Sequence, residues 1–257
     1  MLRFVGLGLW DERSVTIRGR DAIRGADRVY AERYTSRLMG ATFDALERFH
    51  DTDITVLDRE DVEQHPDQLL QQATDHDVAF LVGGDPMVST THVDLRLRAA
   101  DHGIDTELIH GTSAASAAAS LTGLQNYRFG KATTIPFPET FGGDGVPQSV
   151  IDTIEANRER GLHTIVFLDL DESGDRNLTG DRAAGLLAMH DPDLVAVVLA
   201  RAGSDSPLVH ADRLAVLAEM DFGGPLHLLV IPGTVHEMEA EALETFADAP
   251  RDCLEIA

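Results

Sequence analysis

Short apolar runs alternate with amphipathic stretches along the whole chain. Residues 2–9 predict a strand and 16–26 a helix. Short strands follow at 28–31 and 54–57, with a helix at 41–49 between them. The segment 67–74 has helical spacing, and 78–82 is a continuous apolar run, the mark of a strand buried on both faces. A helix at 93–100 and a strand at 106–110 complete the first half. The second half opens with an Ala- and Ser-rich helix at 113–121 and a strand at 133–137. Residues 136–147, PFPETFGGDGVP, have no apolar period and predict a loop. Helices are expected at 150–160, 181–189, 212–219 and 235–246, with strands at 164–168, 195–199 and 226–231. Strands alternating with helices imply an α/β fold with mainly parallel sheets and crossover helices. We place a domain boundary near Gly111, giving α/β domains at 1–111 and 112–257 and an interdomain cleft suited to a small ligand.

Charge narrows the classes of function. The 257 residues carry 44 acids against 21 Lys and Arg, a net charge of −23. Such a surface repels phosphate, so a general nucleic-acid-binding face is excluded. Only Lys131 is lysine and the other 20 basic residues are arginine, while 28 of the acids are aspartate. At about 1 M salt the Debye length falls to about 3 Å, so a dense acidic shell no longer repels itself. Short carboxylates in place of long lysine stems point to the cytoplasm of a halophile. The single Cys253 excludes an internal disulfide framework. No secretory segment is visible at the N-terminus. The longest uncharged stretch, 108–127, holds His110, Thr112, Ser113, Ser116, Ser120 and Asn126, too polar a set to lie in lipid, and no membrane association is expected.

Three segments could carry chemistry. Gly6 and Gly8 close the first strand and let a ligand approach the backbone. A dinucleotide site would want a third glycine where Asp11 stands, although Glu32 sits where a ribose-binding acid would. The segment GGDPMVSTTH, 83–92, follows the buried strand directly. Gly83 and Gly84 free the chain to turn, Pro86 restricts it, and Asp85 falls at the carboxyl end of a parallel strand, where α/β folds bind ligands. In HGTSAASAAASLTGLQNYRFGK, 110–131, Thr112 or Ser113 can cap a helix whose small side chains admit a flat ring. The eleven histidines show no HxH, HExxH or HxxxH spacing, so no metal site is expected. GxSxG and GxxxxGK[ST] are absent.

Together these segments resemble diphthine synthase, within the wider tetrapyrrole (porphyrin and corrin) methylase superfamily. The resemblance rests on GLGLWDERSVTIRG (6–19), AERYTS (31–36), GGDPMVSTTHVDLRLRA (83–99) and HGTSAASAAASLTGLQNYRFGK. RGLHTIVFLDLD (160–171), VVLARAGS (197–204) and PLHLLVIPG (225–233) agree, so it covers essentially the whole chain. It implies a tetrapyrrole methylase-like fold of two α/β domains, usually paired as a homodimer, and an archaeal source. The implied activity is S-adenosylmethionine-dependent methylation of translation elongation factor 2. Its substrate group is a histidine carrying a 3-amino-3-carboxypropyl group, whose amine receives three methyl groups to give diphthine. S-adenosylhomocysteine is the other product. Carried over by motif, the implied cofactor contacts are Leu9, Asp85, Val88, Ser113, Ala114, Leu168, Ala202 and His227.

The residues themselves are compatible with that activity. Transfer to a neutral amine needs neither a covalent enzyme intermediate nor a metal, and no catalytic side chain is singled out. Asp85 is assigned to cofactor positioning, since a carboxylate beside the amine would keep it protonated. Tyr34, Tyr127 and the 136–147 loop are candidates for the substrate side. Three other readings stay open at this point. One is a tetrapyrrole methyltransferase of the same superfamily. Another is a nicotinamide-dependent oxidoreductase using Gly6, Gly8 and Glu32. The third is a non-enzymatic acidic interaction module, which leaves the GGDP turn unexplained.

Overall fold

A computed structural model describes residues 1–35, 37–170 and 176–257. Ser36 and Asp171, which end two of the stretches quoted above, lie outside the described residues. The chain divides into two compact units, Met1–Ser113 and Ala114–Ala257.

The first unit is built on five strands: β1 (Leu2–Gly6), β2 (Arg28–Glu32), β3 (Thr55–Leu57), β4 (Val78–Val82) and β5 (Thr106–Ile109). Their order is β3-β2-β4-β1-β5, and every pairing is parallel. Parallel neighbours require crossovers, and α1 (Ile17–Arg24), α2 (Phe43–His50), α3 (Asp67–Asp75) and α4 (Val93–Asp101) supply them. Thr16 and Thr42 cap α1 and α2, each hydroxyl accepting a backbone N–H of the first turn. Alternate strand residues serve opposite faces. Phe4, Phe80 and Val82 pack with Leu69, Leu70, Leu95 and Ala99 of α3 and α4. Val5, Ala79 and Leu81 pack with Ile23 of α1 and Leu46 of α2. Covering on both faces is why all five residues of β4 are buried. The Phe4 and Phe80 rings meet edge to face at 5.8 Å, and truncating such a fully buried ring to Ala costs about 3–5 kcal/mol.

The second unit has strands β6 (Thr133–Ile135), β7 (Thr164–Leu168), β8 (Val195–Ala200), β9 (Leu208–Arg213) and β10 (His227–Ile231), ordered β6-β7-β10-β8-β9. Its helices are α5 (Ala114–Thr122), α6 (Pro138–Phe141), α7 (Gln148–Arg158), α8 (Gly180–Ala188), α9 (Leu214–Leu217) and α10 (Glu237–Ala247). Residues of α7, α8 and α9 share one core with Val166, Val198 and Leu229. Those of α5 and α10 share the other with Ile165, Val197 and Val230.

The α/β class with mainly parallel strands holds across the two sheets, but the antiparallel pairings gather in the second. There β6 and β7 run parallel, whereas β10 is antiparallel to both β7 and β8, and β8 to β9. The helix expected at 212–219 is corrected: its first residues end strand β9, and only Leu214–Leu217 are helical. A sequence such as RLAVLAE suits a helix, but pairing with β8 from Leu208 to Arg213 overrides that preference at its start. The 136–147 loop contains the single-turn helix α6, opened by Pro138 at its first position.

Candidate functional site

The sheet order places three chain exits together in the first unit. Strand β1 lies between β4 and β5, so the segments leaving β4 and β5 meet over its end. They meet at glycines. A Cβ on Gly6 would lie 2.6 Å from both the Gly111 nitrogen and the Gly84 carbonyl oxygen. One on Gly111 would lie 2.3 Å from that same oxygen. Gly8 and Gly84 exchange backbone hydrogen bonds (N to O 3.2 and 2.7 Å), both at positive φ, 79° and 75°. Gly84 differs from the other two in having room beside it. A Cβ there would come no closer than 4.0 Å, to the Thr112 carbonyl oxygen and the Ser113 Cα.

Asp85 ties this junction. Its carboxylate accepts the Met87 N–H at Oδ1 (2.9 Å) and the Gly111 N–H at Oδ2 (3.3 Å). Oδ2 also accepts from His110 Nδ1 at 2.8 Å. Asp85 is buried while the His110 ring is 72% exposed. Of the other expected contacts here, Val88 is exposed, and Leu9 and Ser113 are half-buried.

The rest of the 83–92 segment is anchored inward. Thr90 donates to the Pro86 carbonyl and Thr91 to Glu63. His92 is buried, with Nδ1 3.1 Å from the Pro86 carbonyl and Nε2 3.4 Å from the Tyr34 hydroxyl. Burial holds its imidazole below the ordinary histidine range. Tyr34 is buried too, and burial, then the Glu32 and Glu63 carboxylates, push its hydroxyl up, so it stays protonated. The Glu32 carboxylate accepts the Tyr34 and Thr35 N–H groups and the Thr35 hydroxyl, fastening the turn after β2. Tyr127, by contrast, is 74% exposed.

In the second unit Leu168 ends β7, and Ala202 lies in the turn after β8, beside Arg201 at φ 54°. Ala114 opens α5. His227 begins β10, nearly buried; its Nδ1 accepts the Gly180 N–H (2.9 Å), so Nε2 carries the proton and donates to the Gly224 carbonyl (3.0 Å). Burial keeps the ring neutral by lowering its pKa.

A polar group that local sequence does not signal lies beneath the TGLQNYRFG stretch. The buried Glu239 carboxylate accepts the N–H groups of Gln125 and His236, Arg128 Nη1 (2.9 Å) and His163 Nε2 (3.2 Å). Burial alone would raise its pKa; these donors outweigh it and hold it low. Arg128 reaches on to the carbonyls of Gly161 and Thr234, and His163 Nδ1 accepts the Gly233 N–H. Asn157 clasps both backbone groups of Lys131 and bonds Thr164. These contacts give Arg128 and Lys131 of that stretch a structural account. Their partners lie 26 to 111 residues away, so only folding brings them together.

Residues 1–218 match the family of Tetrapyrrole (Corrin/Porphyrin) Methylases. Over 99% of the chain, the sequence is 61% identical to the diphthine synthase of Halorubrum lacusprofundi, covering 100% of that protein. It is 62% identical to the diphthine synthase of Halobacterium salinarum, again with 99% of this chain and 100% of the relative covered. The chain belongs to the diphthine synthases. A crystal structure of diphthine synthase matches with a TM-score of 0.92 at 41% identity, covering 100% of this chain and 99% of that one.

Membership in the diphthine synthases bears out the resemblance, the methyltransferase class and the tetrapyrrole methylase-like fold expected from the sequence. It also removes the nicotinamide reading, for which Glu32 provides a separate reason. Its carboxylate is buried and engaged by three donors of its own turn. Among the described residues no helix is long and apolar enough to cross a membrane.

Proposed function

We propose that this chain uses S-adenosylmethionine to methylate the amine of the 3-amino-3-carboxypropyl group on the modified histidine of translation elongation factor 2. Three transfers would give diphthine, with S-adenosylhomocysteine released each time. The enzyme would act in the cytoplasm as a homodimer. What carries this reading is identity above 60% to diphthine synthases over essentially the full length of both chains.

The residues present fit the cofactor in one specific respect. A Cβ on Gly84 would meet the Thr112 carbonyl oxygen and the Ser113 Cα only at an ordinary contact distance of 4.0 Å, so a small group of the cofactor would meet this backbone without a clash. The proposed contacts are Leu9, Asp85, Val88 and Ser113 in the first unit, and Ala114, Leu168, Ala202 and His227 in the second. When bound, S-adenosylmethionine supplies a methyl group on positively charged sulfur. The chain supplies placement, which in well-oriented systems contributes up to about 7–11 kcal/mol. Asp85 would act through the backbone it fixes, because both its oxygens are already engaged by Met87, Gly111 and His110. Both nitrogens of His227 are likewise engaged, so a cofactor would meet its ring face or its backbone. Tyr127 stands exposed and available to a protein substrate, whereas Tyr34 is packed inside the first unit.

The test is mass spectrometry of elongation factor 2 bearing the unmethylated group, incubated with the enzyme and cofactor in molar KCl. Mass gains of one, two and three methyl substitutions are expected. A factor of unchanged mass, with a tetrapyrrole precursor methylated instead, would transfer the assignment to the other branch of the superfamily.

A further inference from the structure

We propose that His110 is the general base that takes the proton from the substrate amine before each methyl transfer, with Asp85 as its positioning residue. The inference rests on the methyltransferase reading above and adds a catalytic side chain to it. A carboxylate held by two backbone N–H groups is acceptor-only, so in the neutral ring the proton lies on His110 Nδ1, 2.8 Å from Asp85 Oδ2. That leaves a lone pair on Nε2, which has no partner among the described residues. The ring follows β5, at the carboxyl end of the parallel sheet, and is tied by Asp85 to the turn that leaves β4.

Other histidines lack this combination. His92, His163 and His227 are buried with both ring nitrogens engaged. His65, His190 and His210 face the carboxylates of Glu60, Glu155 and Asp248, but those acids are 66%, 54% and 83% exposed and free to move. At His110 the acid is 7% exposed and the imidazole 72%. An immobile carboxylate behind a reachable imidazole is the arrangement that orients a base.

The chemistry balances without a further reactant. The substrate ammonium gives a proton to Nε2. The freed nitrogen lone pair bonds to the methyl carbon as the carbon–sulfur bond breaks, and that bond's electron pair stays on sulfur, leaving a neutral thioether. The imidazolium returns its proton to water. The methylated ammonium still bears a proton, so the cycle can repeat. After the third transfer the nitrogen is quaternary, has no proton to give, and the base's part ends.

The test compares wild type, His110→Ala and Asp85→Asn as full chains in molar KCl, with the elongation factor as substrate. Calorimetry follows cofactor affinity, and thermal melting reports folding. For His110→Ala, kcat should fall about 10²- to 10⁴-fold, with the melting midpoint, cofactor affinity and KM near wild type. Added imidazole should restore part of kcat. Asp85→Asn presents an amide N–H to Nδ1 and so moves the ring proton to Nε2; its kcat should fall without imidazole rescue. A His110→Ala enzyme with wild-type kcat, or one whose loss lies wholly in cofactor affinity and resists imidazole, overturns this inference alone. A wild type that transfers no methyl group overturns it together with the proposed function.

Discussion

Burying a ring whose nitrogens find no hydrogen-bond partner works against folding, and His50 at the end of α2 is such a ring. Neither nitrogen has a partner among the described residues, and the side chain lies edge-on to Phe49. Burial, reinforced by Arg24 and Arg20 and opposed by Glu12, lowers its pKa from 6.5 to about 4. The unfolded chain therefore takes up a proton that the folded chain refuses. His50 contributes its pH-dependent stability above 6.5, and that contribution is lost as the pH falls from 6.5 to about 4. His50→Leu should remove this part of the acid sensitivity and raise the melting midpoint at pH 5. Thermal melts of both proteins at pH 5 and 7.5 check it; an equal midpoint drop in the two would show that His50 does not set the dependence. Nothing in the local sequence marks His50, since one histidine on a helix reads the same whether its ring meets water or a closed core. Asp85 was visible as a turn residue at a strand's end, whereas its bond to His110 was not, because the partners are 25 residues apart.

At the scale of elements, the junction above β1 sets the fate of its glycines. Gly111→Ala would push a Cβ to 2.3 Å from the Gly84 carbonyl oxygen, so the chain leaving β5 must move away from the turn after β4. We expect a melting midpoint many degrees lower and little cofactor affinity. Gly84→Ala meets no such clash. Its cost comes from the positive φ of 75°, about 1–2 kcal/mol, but its methyl would enter the space we propose for the cofactor. This variant should stay folded and bind S-adenosylmethionine weakly. Melting and calorimetry on the pair separate the two effects; wild-type affinity in Gly84→Ala would move the cofactor elsewhere. The glycines were legible as turn formers. Their mutual contact was not, because it follows from β1 lying between β4 and β5. The end of strand β9 was illegible for a related reason: pairing with β8 draws Asp212 and Arg213 into the strand, where the local sequence reads as the start of a helix.

For the whole molecule, 44 acids against 21 basic residues make a self-repelling surface. Ion pairs such as Arg3 with Asp77 and Glu107 offset only part of it. Raising KCl from dilute to molar should therefore stabilise the fold. For a chain of this size each kcal/mol shifts the midpoint by about 2–4 °C. A melting midpoint independent of salt over that range would contradict the halophilic reading. The identified relatives from Halorubrum lacusprofundi and Halobacterium salinarum share this chain's length almost entirely, so the same measurement on them provides a direct comparison.

Class, charge and family were present in one dimension. Apolar period, residue choice and contiguous motifs such as GGDPMVSTTH depend on a residue and its near neighbours, and these survive in a string of letters. Folding added which distant groups face each other. Asp85 meets His110, Glu239 collects Arg128 and His163, and β10 runs antiparallel between β7 and β8. Each of these depends on strand order and on burial shared between remote segments. Hydrogen bonds and charges act through space over a few ångströms, whatever the length of chain between them.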